Sequence, residues 1–206
     1  GFLDDAERAI FEIAERRVRP SFYSIRDIVK DSLDTIAKLY ERKELITGVP
    51  SGFRGLDQRT AGFQPSDLII VAGRPSMGKT AFCLNVAQYA AIEKKIPVAI
   101  FSLEMAKEQL VIRMLCSQAQ VEGTRIRTGF LSESDWPKLT LAAGTLYDAP
   151  IFIDDSAALS VLELRAKTRR LKADQNLGMV VIDYLQLMKG RSKAESRQQE
   201  ISEISR

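Results

Sequence analysis

The sequence predicts an α/β protein built on a mostly parallel sheet, and two features of the chain support this. Short, predominantly apolar runs occur at residues 68–72, 98–103, 151–153 and 179–182. Longer segments with apolar residues at helical spacing separate these runs. Apolar strands that alternate with helices are typical of a parallel sheet with both faces covered. The composition, 45% hydrophobic and 28% charged, is that of a globular chain and not of a disordered one.

The first 46 residues hold no strand-like run and predict two helices. The first helix covers residues 4–17, and Pro20 ends it. The second covers residues 24–44 and carries an apolar stripe, which must be buried either on the chain's own domain or on another subunit. The stripe consists of Ile25, Ile28, Val29, Leu33, Ile36, Leu39 and Tyr40. A turn-rich hinge at residues 47–52 follows.

Four helices are predicted after the hinge, between and beside the apolar runs. They cover residues 80–93, 108–120, 132–147 and 160–173. Two of them begin with the pattern of a capping box, in which a serine and an acidic residue three positions later satisfy free amides. These pairs are Ser132 with Asp135, and Ser160 with Glu163.

The chain has no histidine, which excludes a catalytic histidine base and every histidine-ligated metal site. Its two cysteines, Cys83 and Cys116, form no CxxC pair, so reduced thiols are expected. The net charge of +3 is too small to indicate nucleic-acid binding by itself. The first residues include Asp4 and Asp5 where a secretory signal would be basic, and no run approaches the length of a membrane span. A cytoplasmic protein without a membrane partner is expected.

Residues 73–80 match the phosphate-loop pattern G-x-x-x-x-G-K-[ST] at every fixed position. The match lies after a predicted strand and at the start of a predicted helix, which is the context that phosphate binding requires. Glycines let the backbone approach the phosphates, and the helix N-terminus adds its positive end. The predicted nucleotide-binding residues are Gly73, Arg74, Pro75, Ser76, Met77, Gly78, Lys79, Thr80 and Ala81.

Three side chains are predicted to act on the nucleotide. Lys79 reaches the β- and γ-phosphates and is a catalytic candidate, while the Thr80 hydroxyl is a ligand for Mg²⁺. Asp183 follows the apolar run 179–182, so it lies at the ligand-binding edge of a parallel sheet and serves as the second Mg²⁺ ligand. The predicted cofactors are therefore ATP and Mg²⁺.

Glu104 is the candidate base that activates the attacking water, because the chain offers no histidine for this task. It ends the predicted strand at residues 98–103. If that strand neighbours the phosphate-loop strand, Glu104 faces the γ-phosphate. Its position is equally compatible with an acidic residue that stabilises a helix N-terminus.

Two basic segments leave alternatives open. Five basic residues lie on the predicted helix 160–173, and they form either a solvated face or a nucleic-acid contact. They are Arg165, Lys167, Arg169, Arg170 and Lys172. The polar tail at residues 189–206 is either a surface loop or a segment that follows a phosphate backbone.

The chain resembles the bacterial replicative DNA helicases of the DnaB type over essentially its whole length. The resemblance is carried by residues 46–53, 56–57 and the phosphate loop with its preceding run. Two further segments make it more specific than a phosphate loop alone: Ser-Leu-Glu-Met at 102–105 and Asp-Tyr-Leu-Gln at 183–186.

The resemblance implies a RecA-like ATPase core, and homo-hexameric rings around single-stranded DNA. It also implies ATP-driven 5′→3′ translocation and unwinding at replication forks, with a primase and a helicase loader as partners. By the same resemblance, residues 1–20 are the tail of an N-terminal helical domain and residues 21–46 a linker helix that docks on the neighbouring subunit. Residues 47–206 are an incomplete ATPase core. Glu104 matches the family's catalytic glutamate.

Members of the family extend beyond both ends of this sequence, and their further residues carry core strands, a DNA-binding loop and a trans-acting arginine finger. This chain alone is therefore expected to hydrolyse ATP poorly. Two other functions stay open: another RecA-like ATPase of the recombinase or clock type, and a nucleotide-binding assembly module without turnover.

Overall fold

The computed structural model describes residues 24–42, 45–157, 159–188 and 202. The chain divides into two units, residues 1–44 and residues 45–206. The helix predicted at residues 4–17 and, apart from Ser202, the polar tail at 189–206 lie outside the described residues.

The first unit contains the predicted striped helix, α1, at Ile25–Arg42. Ser24 begins it by accepting a hydrogen bond from the Arg26 backbone N–H at 3.3 Å. Every residue of the stripe is exposed, from 46% for Ile28 to 76% for Tyr40. An apolar face of this extent on a helix calls for a covering surface.

The second unit consists of six helices and three strands within the described residues. The helices are α2 Arg54–Thr60, α3 Lys79–Lys94, α4 Lys107–Ala119, α5 Gly123–Thr128, α6 Asp135–Tyr147 and α7 Val161–Gln175. The strands are β1 Val98–Ser102, β2 Ile151–Asp154 and β3 Met179–Asp183, and a 3₁₀ turn follows at Leu185–Leu187. The sequence did not predict α2 and α5, which have 7 and 6 residues and are too short to show a helical period. None of the described helices is long and apolar enough to cross a membrane.

The three strands form a parallel sheet in the order β2-β1-β3. In its register, Val98 lies between Ile151 and Met179, and Ser102 lies opposite Asp183. The carboxyl ends of β1 and β3 therefore meet at one edge of the sheet.

Helices cover both faces of the sheet, as predicted. Alternate side chains of β1 point to opposite faces, so this strand contributes to the core on each side. Val98 and Ile100 pack in a cluster with residues of α3 and α4 that include Leu84, Leu110 and Met114. Ala99 and Phe101 pack in a second cluster with Leu159, Leu177 and, from α7, Leu164 and Leu171. All five residues of β1 are buried, so this strand is the centre of the core.

The strand predicted at residues 68–72 is wrong. These residues form no regular secondary structure, and their large side chains are 40–65% exposed. The run is apolar enough for a buried strand, but a strand also needs a hydrogen-bonded neighbour. Among the described residues none pairs with this run, and β3 is an edge strand of the sheet.

One predicted capping box is confirmed and the other is wrong. Ser160 and Glu163 exchange both hydrogen bonds at the start of α7. The other helix, α6, begins at Asp135 with Ser134 as its N-cap residue, three positions later than predicted. The Asp135 carboxylate accepts the Ser132 backbone N–H at 2.9 Å and pairs with Arg125 at 3.1 Å, so it fastens the preceding turn instead.

The two cysteines are free thiols, as expected. Both are partly buried, and burial raises the pKa of each thiol above its ordinary value. Cys83 lies on α3, and the nearby Asp183 carboxylate raises the pKa of this thiol further.

Candidate functional site

The phosphate loop leads directly into α3, as the sequence predicts. Gly78 is the N-cap residue of α3 and has a φ of 86°, a left-handed conformation that a residue with a Cβ adopts only with strain. Ser76 also has a positive φ, 63°. The first turn of α3 contains no acidic residue, and its N-cap residue is a glycine, which has no side chain that could satisfy the free amides. The positive end of the helix is therefore left for an anionic ligand.

Thr80 and Asp183 are 103 positions apart in the sequence and meet at the C-terminal edge of the sheet. The Thr80 hydroxyl donates a hydrogen bond to Asp183 Oδ2 at 2.7 Å. Asp183 is buried at the end of β3, and Thr80 lies in the first turn of α3. Two oxygen atoms that suit Mg²⁺ are thus adjacent, and the donor set fits a cation that also uses substrate phosphates.

No group of three or more cysteine, aspartate or glutamate side chains that could hold a metal occurs among the described residues. A dedicated protein cage for a metal is therefore not present in that part of the chain.

Lys79 has an aromatic neighbour. Its Nζ lies 5.8 Å from the centroid of the Tyr184 ring, within the range of a cation–π contact. In the described part of the chain, Lys79 forms no salt bridge with a carboxylate. A cation–π contact of this kind is weaker than a charge-assisted hydrogen bond to a phosphate.

Glu104 reaches the same edge by a route different from the one expected. The structure does not place β1 beside the residues that precede the phosphate loop; β1 lies beside β3. The Leu103 backbone N–H donates to the Asp183 carbonyl oxygen at 2.8 Å, which brings the turn with Glu104 next to Asp183. Ser102 Oγ donates to the Met105 carbonyl oxygen at 2.7 Å and closes this turn. The Glu104 side chain is exposed.

The turn with Glu104 continues into α4, where an ion pair that the sequence patterns did not indicate holds Lys107. Asp155, the residue after β2, accepts the Lys107 backbone N–H at 3.2 Å and the Lys107 Nζ at 3.3 Å. The amide hydrogen bond is the main cause that lowers the pKa of Asp155. The hydrogen bond to Asp155 likewise raises the pKa of Lys107. The feature of the sequence that could have indicated this ion pair is the position of Asp155, an acidic residue directly after an apolar strand.

A second set of contacts that the sequence patterns did not indicate fixes the hinge to α2 and packs it on α3. Asp57 is buried and accepts hydrogen bonds from the Ser51 backbone N–H at 2.8 Å and the Ser51 hydroxyl at 2.7 Å. It also accepts the Gly52 N–H at 3.2 Å. The turn packs on the phosphate-loop helix, where the Phe53 and Phe82 rings stack with centroids 5.2 Å apart.

Three of the five basic side chains on α7 have contacts within the molecule. Lys167 pairs with Asp154, and Arg170 lies 3.8 Å from Asp174. Lys172 donates to the Leu177 carbonyl oxygen at 2.9 Å. These partners favour a structural role over a nucleic-acid contact for Lys167 and Lys172, whereas the Arg170 side chain is 87% exposed and its ion pair is weak.

A family model described as the DnaB-like helicase C terminal domain matches residues 48–206. The chain belongs to this DnaB-like helicase family. Its fold class, a RecA-like α/β core preceded in sequence by a helix, is that of the family's ATPase domains.

Relatives with high identity carry names of replicative helicases. The "Replicative DNA helicase DnaC" of Bacillus subtilis (strain 168) is 53% identical over 205 residues. The "Replicative DNA helicase DnaB" of Geobacillus stearothermophilus is also 53% identical over 205 residues. The aligned region is 99% of this chain and 45% of each relative, so the chain spans less than half the length of these relatives.

Two solved structures share the fold. One is an ATPase domain, which matches with a TM-score of 0.80 and 37% identity, over 86% of this chain and 64% of that chain. The other is a DnaB-like replicative helicase, solved in a study of its interactions with primase, which matches with a TM-score of 0.77 and 35% identity. That match covers 98% of this chain and 48% of the other.

Proposed function

We propose that this chain is the main part of the ATPase core of a replicative DNA helicase. The complete protein couples ATP hydrolysis to 5′→3′ translocation on single-stranded DNA and to unwinding of the duplex at the replication fork. The observation that carries the proposal is the 2.7 Å hydrogen bond from Thr80 to Asp183, beside a complete phosphate loop. The names of the relatives support the helicase assignment.

The phosphate-loop residues 73–81 bind the nucleotide through backbone amides and the N-terminus of α3. Lys79 is released from the Tyr184 ring and pairs with the β- and γ-phosphates. Thr80 and Asp183 are the residues that hold Mg²⁺. This ion supplies neutralisation of the negative charge that develops on the phosphate oxygens.

Glu104 orients the attacking water and accepts its proton. Its support is the hydrogen bond that fastens Leu103 to the Asp183 backbone, since residue 104 then follows directly beside a metal-binding candidate. An exposed carboxylate is available to a water molecule in a way that a buried, paired one is not.

Replacing Glu104 with Gln in the complete gene product tests the role of this residue. The amide keeps the shape of the side chain but accepts no proton, so ATP turnover is expected to fall about 100-fold or more with the Kd for ATP unchanged. Glu93→Gln is the matched control, because Glu93 is an exposed acidic residue near the far end of α3. Wild-type turnover in Glu104→Gln would reject the role.

Assays of the unmodified protein and of Glu104→Gln distinguish the proposed function from its two alternatives. An assembly module without turnover would bind ATP and show no hydrolysis in the unmodified protein. A recombinase-type ATPase would hydrolyse ATP and exchange strands without separating a forked duplex. A helicase shows DNA-stimulated hydrolysis and strand separation, and it loses both on Glu104→Gln.

The proposal includes the assembly and location of the complete protein. The exposed apolar stripe of α1 supports a linker helix, at residues 21–46, that docks on the neighbouring subunit of a homo-hexamer. The interactions of one solved relative with primase support a primase partner, and a helicase loader is a further expected partner. We place the protein in the cytoplasm, and residues 1–20 at the end of an N-terminal helical domain. The isolated chain is expected to hydrolyse ATP weakly or not at all.

A further inference from the structure

We propose that Asp155 is a positioning residue for Glu104, acting through the backbone and side chain of Lys107. The inference rests on the proposed role of Glu104 in ATP hydrolysis. It adds a residue of β2's carboxyl end, on the far side of β1 from Asp183, to the parts that set the geometry of the hydrolytic site.

The turn that carries Glu104 is attached to the sheet on two sides. On the β3 side, the Leu103 backbone N–H donates to the Asp183 carbonyl oxygen at 2.8 Å. On the β2 side, Asp155 accepts the Lys107 backbone N–H at 3.2 Å. Glu104 lies between the two attachments, so the path of its backbone depends on both.

Asp155 makes more than a surface ion pair. Lys107 is the first residue of α4, and the N-cap residue Ala106 provides no side-chain hydrogen bond. The Asp155 carboxylate therefore caps α4 from another element, where a negative charge also interacts favourably with the helix dipole. Lys107 Nζ adds contacts of 3.4 and 3.3 Å to the two carboxylate oxygens. The lowered pKa of Asp155 and the raised pKa of Lys107 agree with a charged pair.

The position of the Glu104 carboxylate is sensitive to this attachment because its side chain is exposed and is not packed into the core. The backbone of residues 103–106 therefore sets the point from which the carboxylate extends and the space that it can reach. Misplacing a catalytic group by about 1 Å can lower a rate about 100-fold even when the altered residue is remote from the reaction.

Asp154 provides a matched comparison within the same two-residue segment. Asp154 and Asp155 have similar side-chain exposures, 25% and 29%, and each pairs with one lysine. The partner of Asp154 is Lys167 on α7, which packs against the other face of the sheet. Each aspartate therefore loses one lysine pair and one backbone hydrogen bond when it is replaced by alanine, but only Asp155 contacts the helix that follows Glu104.

The test compares Asp155→Ala, Asp155→Asn and Asp154→Ala in the complete protein, with kcat, KM and the Kd for ATP measured for each. Asp155→Ala is expected to lower kcat about 10- to 100-fold with the Kd unchanged. Asp155→Asn keeps an oxygen that can accept the Lys107 amide, so its kcat is expected to lie between those of the wild type and Asp155→Ala. Asp154→Ala is expected to keep the wild-type kcat.

Equal kcat values for Asp155→Ala and Asp154→Ala, or a change in Kd alone, would overturn the inference. If Asp155→Ala does not fold, Asp155→Asn carries the test: a kcat below the wild type at unchanged Kd supports the inference, and the wild-type kcat overturns it. Glu104→Gln, measured in the same experiment, distinguishes a failure of the proposed role of Glu104 from a failure of the positioning role of Asp155. If that variant still turns over ATP, the proposed role of Glu104 fails; if it is inactive while Asp155→Ala is fully active, only the positioning role fails.

Discussion

The position of the Thr80 hydroxyl is fixed by a hydrogen bond to a residue far away in the sequence. Its side chain lies in the first turn of α3, and its partner Asp183 lies at the end of β3. The 2.7 Å hydrogen bond between them keeps the two oxygen atoms adjacent before any ligand binds. If both side chains bind Mg²⁺ as proposed, this preorganisation lowers the cost of binding a metal–nucleotide complex.

Thr80→Ala is therefore expected to weaken the response of hydrolysis to Mg²⁺, while Thr80→Ser keeps the hydroxyl and is the matched control. The Mg²⁺ concentration needed for half-maximal ATPase activity should rise about 10- to 100-fold in the alanine variant. A titration of activity against Mg²⁺ at fixed ATP measures it. An unchanged midpoint in Thr80→Ala would show that Thr80 is not a ligand.

At the scale of elements, the hinge turn and α3 are packed against one another. Asp57, from α2, fastens the turn at Ser51, and the turn presents the Phe53 ring to Phe82 on α3. Gly52 has a φ of 82°, and a Cβ at this position would lie 2.6 Å from Tyr89 Cγ. The turn can approach α3 this closely only because residue 52 is glycine.

Gly52→Ala is expected to lower the free energy of unfolding by about 1–3 kcal/mol, because the added methyl group overlaps a packed ring. Gly55→Ala is the matched control, since no atom lies within 4 Å of a Cβ at Gly55. Gly55 is in α2, where alanine is favoured over glycine by about 0.5–1 kcal/mol. Urea denaturation of the two variants measures the difference, and equal losses of stability in both would contradict this account of the turn.

At the scale of the whole molecule, two of the apolar surfaces exposed within the described residues each lie within one continuous stretch of sequence. One is the stripe of α1, and the other is the run at residues 68–72, with side chains 40–65% exposed. The chain spans 45% of the length of its first relatives. We expect the stripe to be covered by a neighbouring subunit, and the run to pair with a strand from the part of the complete protein outside this chain.

Under the proposed docking of α1 on a neighbouring subunit, Ile36→Asp is expected to weaken the ring, because it places a charge in the middle of the stripe. Lys38→Gln is the matched control: it changes the net charge by the same amount but lies on the opposite face of α1. Light scattering of the complete protein measures the mass. A hexamer of unchanged stability in Ile36→Asp, or equal losses in both variants, would reject docking through this face.

Local patterns in the sequence determined most of the elements and the chemistry of the candidate site. The phosphate loop, the striped helix α1 and the capping box at Ser160 follow from interactions between residues near one another in the chain, and the apolar runs of β1, β2 and β3 are likewise local patterns. The sequence predicts roles for Glu104 and Asp183 because the strands of a parallel sheet end at one common edge.

The tertiary structure decided which elements are neighbours, because pairing and capping depend on residues far apart in the sequence. The order β2-β1-β3 placed Glu104 beside Asp183 and not beside the phosphate-loop run. Residues 68–72 have the composition of a strand, but they lack a pairing partner among the described residues, and composition cannot supply one. Asp155 caps a helix 48 positions earlier in the chain, a contact that exists only once β2 and α4 have packed on the same sheet.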